Sequence, residues 1–217
     1  MNHKKEMLMQ AVFFLTACIS ILSVLLICIF LFMTGLPAIQ EIGWGNFLFG
    51  IVWRPANNLF GIFPMIIGSL YVTAGALVTG VPIGILTAVF MSHFCPERWY
   101  RPLKAAINLM AGIPSVVYGF FGLVVLVPFV RDNIGGFGMG VLTASVLLGL
   151  MILPTIISVS EAAIRAVPSS YYEGGLALGA SHERSIFFAV LPAAKRGILA
   201  AVILGIGRAI GETMAVI

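Results

Sequence analysis

Apolar runs long enough to cross a bilayer recur five times along this chain, at about 11–33, 64–91, 105–130, 138–160 and 197–217. A spanning helix needs about 20 mostly apolar residues, since the hydrocarbon layer is about 30 Å thick. Lipid offers backbone amides no hydrogen-bond partner, so such runs must satisfy their own backbone as helices. The expected fold is therefore all-α, a polytopic transmembrane helix bundle in one domain over residues 1–217. Charge agrees with this: 9% of the 217 residues are charged and 60% are hydrophobic, against about 25% charged in a soluble domain.

The first run follows Lys4-Lys5 and resembles a signal peptide in position only. It exceeds a signal's apolar core of about 7–15 residues and lacks a small-x-small cleavage site, so it reads as an uncleaved anchor. Lys4, Lys5, Arg98, Arg101, Lys104, Arg165, Arg184, Lys195 and Arg196 fall in one set of connecting segments, and only Arg54 and Arg131 in the alternate set. Positive charge is retained on the cytoplasmic side. The N-terminus, residues 92–104 and residues 161–196 are thus expected to face the cytoplasm, with 34–63 and 131–137 outside.

Pro64, Pro82, Pro114, Pro128 and Pro154 fall within the runs. Each removes a backbone donor that lipid cannot replace, so a packed bundle or a wet cavity must compensate. Gly80/Gly84, Gly136/Gly140 and Gly207/Gly211 have the small-xxx-small spacing that lets helices approach closely. The chain stops at Ile217 within an apolar run, which predicts a truncated chain with at least one further span beyond it.

Several function classes are excluded. The formal charge of +4 is scattered through short loops rather than gathered in a stripe, so nucleic acid is not a partner. Cys18 and Cys28 stand about 15 Å apart along one helix, too far to bridge, and Cys95 is alone. No metal-ligand spacing joins the cysteines to His3, His93 or His182. The chain lacks a Gly-x-x-x-x-Gly-Lys-[Ser/Thr] loop for ATP phosphates and the usual hydrolase constellations, so it is not expected to be an enzyme.

Between the fourth and fifth runs lies a semi-polar island, 161–196. Pro168 predicts a break, with Ser169-Ser170 capping a short helix that carries Glu173 in its first turn. Gly179 permits a sharp turn, and Ser181 to Val190 forms a second amphipathic piece before Leu191-Pro192 opens the last span. An amphipathic piece of this kind also fits a helix lying flat on the membrane.

Glu173, Gly179 six positions on, and Leu191-Pro192 eighteen positions on resemble the loop signature of ABC importer permeases. Gly174-Gly175 stand where that signature has two alanines, and Ala189 where it has isoleucine. The literal Glu161-Ala162-Ala163 is out of register, because Val167 stands where the glycine should be. The resemblance implies the type I, MetI-like permease fold with a sixth span missing here. It also implies that Glu173, Gly179, Leu191 and Pro192 form a coupling segment that docks in a groove of a cytoplasmic ATPase subunit, present in two copies in the importer and holding the ATP and Mg.

Two further stretches are similar to the C subunit of the Pst-type phosphate importers: Ala111-Gly112-Ile113-Pro114-Ser115-Val116-Val117-Tyr118-Gly119 and Gly205-Ile206-Gly207-Arg208-Ala209-Ile210-Gly211-Glu212-Thr213-Met214-Ala215-Val216. Within the runs, Arg208 and Glu212 are the only charges, and an arginine at a helix centre costs about 2.5–3.5 kcal/mol even on the lower scales. Four residues apart, they share one helical face and can pair. Two readings follow: a structural ion pair, or a transient anion site with Arg208 as donor fork and Glu212 as counter-charge. The resemblance favours the second. Ser115, Tyr118 and Thr213 either add hydroxyls to that path or bond a carbonyl one turn back.

The resulting expectation is a bacterial inner-membrane phosphate permease, N-terminus cytoplasmic, binding no cofactor itself. It would pair with an A-type permease as a heterodimer and receive phosphate from an extracytoplasmic binding protein. The rival readings are a permease for sulfate, molybdate or another solute, an intramembrane enzyme or passive channel, and a non-functional fragment.

Overall fold

Prolines and glycines divide this chain into its helices. The computed structural model describes residues 3–213, with side chains from residue 6 onward. Two units are distinguished, Met1–Ile66 and Ile67–Ile217.

In the first unit, α1 (His3–Ile42) stops at Gly43, whose φ of +86° ends the helical path. Its most apolar stretch has no buried residue, as suits a helix that is hydrophobic all round and surrounded by lipid or other spans. After α2 (Trp44–Phe49) comes a small antiparallel hairpin, β1 (Trp53–Arg54) and β2 (Leu59–Phe60). Trp53 sits opposite Phe60 with ring centroids 5.8 Å apart and edge to face. Asn58, left-handed at φ +55°, closes its turn.

The second unit is built around α7 (Val141–Arg165), whose apolar stretch is 56% buried, against 11% for the span before it and 22% for the one after. Ile152 and Ile156 of α7 pack with Ala76 of α3 (Phe63–Val89), Tyr118 of α5 (Ser115–Phe121) and Ala209 of α10 (Leu191–Gly211). Glycines bring α3 and α7 together. A Cβ at Gly75 would fall 2.3 Å from Ser145 Oγ, and one at Gly84 2.7 Å from Ile156 Cγ2. Association inside lipid relies on such close van der Waals contact rather than on escape from water. Of the three predicted small pairs only Gly80/Gly84 packs this way; Gly140, Gly207 and Gly211 face open space, and Gly136 lies in a left-handed loop.

Among the described residues there are three π turns: Phe90–Phe94, which ends the α3 span, and Gly122–Leu126 and Ile186–Val190, which interrupt spans two residues before Pro128 and Pro192. A proline has no N–H to give and its ring crowds the carbonyl four residues back. Widening the turn before Pro128 and Pro192 relieves both problems locally.

Among the described residues five helices are long and apolar enough to cross a membrane: Glu6–Ile42, Phe63–Phe94, Ser115–Asn133, Val141–Arg165 and His182–Gly211. The run expected at 105–130 is not one helix. Ile113, extended because a proline follows, separates α4 (Glu97–Gly112) from α5, and only Ser115–Asn133 spans. α5 passes through the π turn into α6 (Val127–Asn133). The last span starts earlier than 197; its helix runs to Gly211 with Glu212 extended, and the expected end of the run at 214–217 lies outside the described residues. Pro114 and Pro64 therefore sit at helix starts rather than deep in spans.

Candidate functional site: the coupling segment and the charged span

The island folds as a helical hairpin. Pro168 is the extended residue before α8 (Ser169–Ala177), so the serines are its first helical residues and Glu173 lies in the second turn, a correction to the expected cap. At the other end Gly179 adopts φ +80°. Its N–H donates to the Leu176 carbonyl at 2.9 Å, and the Ala180 N–H to the Gly175 carbonyl at 3.1 Å. This is a Schellman closure, which requires a left-handed residue at that one position. Ser181 then caps α9 (His182–Ser185), its Oγ accepting from the Arg184 N–H at 3.3 Å. The chain runs through the π turn Ile186–Val190 into α10, so Leu191 and Pro192 sit in its first turn.

Buried residues seat the hairpin on the bundle. Ile186 and Val190 pack with Ala88 and Val89 of α3 and with Ile164 of α7. Tyr172 of α8 lies 2.7 Å from His182 Nδ1 through its hydroxyl and stacks on His93 in the π turn that ends α3. Glu173 is exposed, as are Tyr171, Leu176 and Leu178 of the same segment.

Arg208 points from α10 to α7, where its Nη1 donates to Thr155 Oγ1 at 3.1 Å. Thr155 is a neutral acceptor, so the bond orients the guanidinium without cancelling its charge. Glu212 lies past the last helical residue, so the shared helical face expected for Arg208 and Glu212 does not extend that far. Tyr118 is buried beside Ala209, and its hydroxyl donates to the Met110 carbonyl at 3.0 Å, eight residues back rather than one turn. Ser115 is the first residue of α5 and Thr213 is exposed after α10; among the described residues neither is hydrogen-bonded to Arg208. The two family-like stretches nevertheless converge, since Tyr118 and Ala209 close on the same face of α7.

Two residues escaped the sequence reading. Thr155 is one of several span hydroxyls, and nothing in its neighbours marks it. Glu161, set aside as out of register, is only 2% exposed within α7 and is the most heavily bonded carboxylate among the described residues. It accepts from Tyr100 Oη and Lys104 Nζ of α4, both at 2.6 Å, and from Arg165 Nε at 3.0 Å. Arg165 also donates to the Met91 carbonyl at 2.9 Å. Arg208 and Glu212 are therefore not the only charges within spans, because α7 continues past residue 160. The Glu161-to-Arg165 spacing with Lys104 upstream was the available signal.

The fold is that of an ABC importer permease, and residues 80–217 match the family model of the binding-protein-dependent transport system inner membrane component. The chain belongs to that family, and is a multi-pass inner-membrane protein. Among its relatives, the probable ABC transporter permease protein YqgH of Bacillus subtilis is 40% identical over 208 residues, covering 93% of this chain and 67% of that protein. The phosphate transport system permease protein PstC of Mesorhizobium japonicum is 34% identical, covering 88% and 64%. PstC 2 of Mycobacterium tuberculosis is 32% identical, covering 91% and 67%. The chain thus spans about two thirds of the length of the curated relatives it matches. An inward-facing crystal form of the MetNI methionine ABC transporter matches 70% of this chain and 68% of its own at a TM-score of 0.55 and 22% identity, a likeness of fold alone.

Proposed function

We propose that this chain is the C-type permease subunit of an ATP-driven importer for inorganic phosphate. It supplies half of a translocation path completed by an A-type permease. The observation that carries the reading is Arg208, a cation within a span, fixed by Thr155 and flanked by the Gly205–Thr213 stretch. The names of the relatives support phosphate as cargo.

A guanidinium offers a planar donor fork that matches a tetrahedral oxyanion, and in a poorly solvated path one such contact is strong. A path must also release its ion, so a single arginine, balanced by the Glu212 counter-charge, serves better than a closed cage. Ser115 and Thr213 stand as further hydroxyls toward the same path. On the cytoplasmic side the α8–α9 hairpin docks on an ATPase subunit, one of two copies in the transporter, with Glu173 exposed for that contact and Gly179, Leu191 and Pro192 fixing its shape. ATP and Mg belong to those subunits, and an extracytoplasmic binding protein delivers phosphate. The N-terminus is cytoplasmic in this arrangement.

The test is phosphate uptake by the complete open reading frame co-produced with its partners, with sulfate as competitor. Wild-type uptake should require ATP and resist sulfate, and Arg208→Gln should abolish most of it at unchanged membrane abundance. Sulfate competing equally would mean another oxyanion permease, and normal uptake by Arg208→Gln would remove Arg208 from the path.

A further inference from the structure

We infer that Glu161 is a positioning residue for coupling: its carboxylate clamps α4 to α7 so that movement of the α8–α9 hairpin is passed to both helices as one body. This inference rests on the ABC permease reading above but not on the identity of the cargo.

The argument starts from what a buried carboxylate requires. Taking Glu161 out of water is unfavourable unless every lone pair is met. Here three side chains from two helices meet it, Tyr100 and Lys104 from α4 and Arg165 from its own helix. The Tyr100 bond to Glu161 raises the phenol's pKa above its ordinary value, so Tyr100 remains a donor at neutral pH. The Arg165 guanidinium lies 4.6 Å over the Tyr100 ring while its other arm holds the Met91 carbonyl at the tip of α3. One carboxylate therefore gathers α4 and α7, and Arg165 adds α3.

Placement gives this cluster a role beyond stability. α7 ends at Arg165, and Pro168 opens the coupling hairpin three residues later. Tyr172 and His182 of that hairpin contact His93 and Phe94, the same α3 tip whose Met91 carbonyl Arg165 holds. α4 leads through the Ile113–Pro114 break into α5, which carries Ser115 and Tyr118. A displacement of the hairpin thus has two routes to the span beside Arg208, and Glu161 joins them. The apolar packing of Ile107 with Leu153 and Ile157 is non-directional and can slide; the four polar groups cannot slide without leaving a charge unmet.

The experiment uses the assembled transporter in proteoliposomes, with hydrolysis and uptake measured on the same preparation. Glu161→Gln should assemble and hydrolyse ATP near the parent rate while uptake falls about tenfold or more, within the usual range of coupling between sites. Tyr100→Phe, which keeps the ring over Arg165, should give a smaller loss in the same ratio. The exchanged pair Glu161→Lys with Lys104→Glu should recover part of the uptake. Unchanged uptake per ATP in Glu161→Gln, or parallel loss of hydrolysis, uptake and membrane abundance in both single variants, would overturn the inference. The ratio is taken with whichever oxyanion the parent carries, so a wrong cargo would show in the parent alone.

Discussion

Arg208 and Glu161 solve the same problem in different ways. Glu161 is surrounded by opposite charge and is locked in place, whereas Arg208 is oriented by the hydroxyl of Thr155. A hydrogen bond to a charged group contributes about 1.5–3 kcal/mol net. Thr155→Val removes it at nearly constant volume, so the solute concentration for half-maximal uptake should rise about tenfold, with maximal rate and membrane abundance little changed. Thr155→Ser should behave as wild type, and a lower maximal rate with unchanged half-saturation would show that Thr155 serves packing instead. Arg208 was legible because a charge within a long apolar run is conspicuous. Glu161 was not: it stands at the edge of such a run, where charge is ordinary, and only the fold shows α7 continuing past it with α4 alongside.

At the scale of elements, prolines mark the breaks in the chain. The Ile113–Pro114 break and the π turns before Pro128 and Pro192 follow from proline's crowding and missing donor, yet hydropathy averaged over about 20 residues blurs them into continuous spans. The break at Pro168 and the turn at Gly179 were both legible, although the helix cap lies one residue earlier than expected because Pro168 itself supplies the extended backbone. The departures from the family's Glu-Ala-Ala pattern now separate. A Cβ at Gly174 meets nothing, while one at Gly175 would fall 2.6 Å from Ser185 Oγ, so close packing of α8 on α9 needs the second glycine only. Gly174→Ala should stabilise α8 by about 0.5–1 kcal/mol, and Gly175→Ala should loosen the hairpin. Gly179→Ala has room but must adopt φ +80°, a left-handed conformation that costs about 1–2 kcal/mol. Hydrogen exchange of the 169–185 amides in the complete protein checks all three: slower for Gly174→Ala, faster for the other two. Faster exchange in Gly174→Ala would place an unrecognised contact at that position.

For the molecule as a whole, the arrangement depends on which side of the membrane the hairpin occupies, and the chain carries a native reporter. Cys18 and Cys28 lie on exposed faces of α1 within its apolar stretch, in the hydrocarbon layer that a charged, membrane-impermeant maleimide does not enter. Cys95 lies between the π turn of α3 and α4, on the same connection as Arg98, Arg101 and Lys104. If positive charge is retained inside, as the orientation proposed above requires, that connection lies in the cytoplasm. A membrane-impermeant maleimide should therefore label the otherwise unaltered protein in inside-out vesicles and leave it unlabelled in sealed right-side-out cells. Asn58→Cys, at the tip of the small hairpin, should give the reverse when Cys95 is replaced by Ser. Crossing from Cys95 to the α8–α9 hairpin takes two spans, Ser115–Asn133 and Val141–Arg165, so both lie on one side. Labelling of Cys95 from outside would put the hairpin outside as well. A cytoplasmic ATPase could not then reach Glu173 or Gly179, and the coupling reading would fail whatever the cargo.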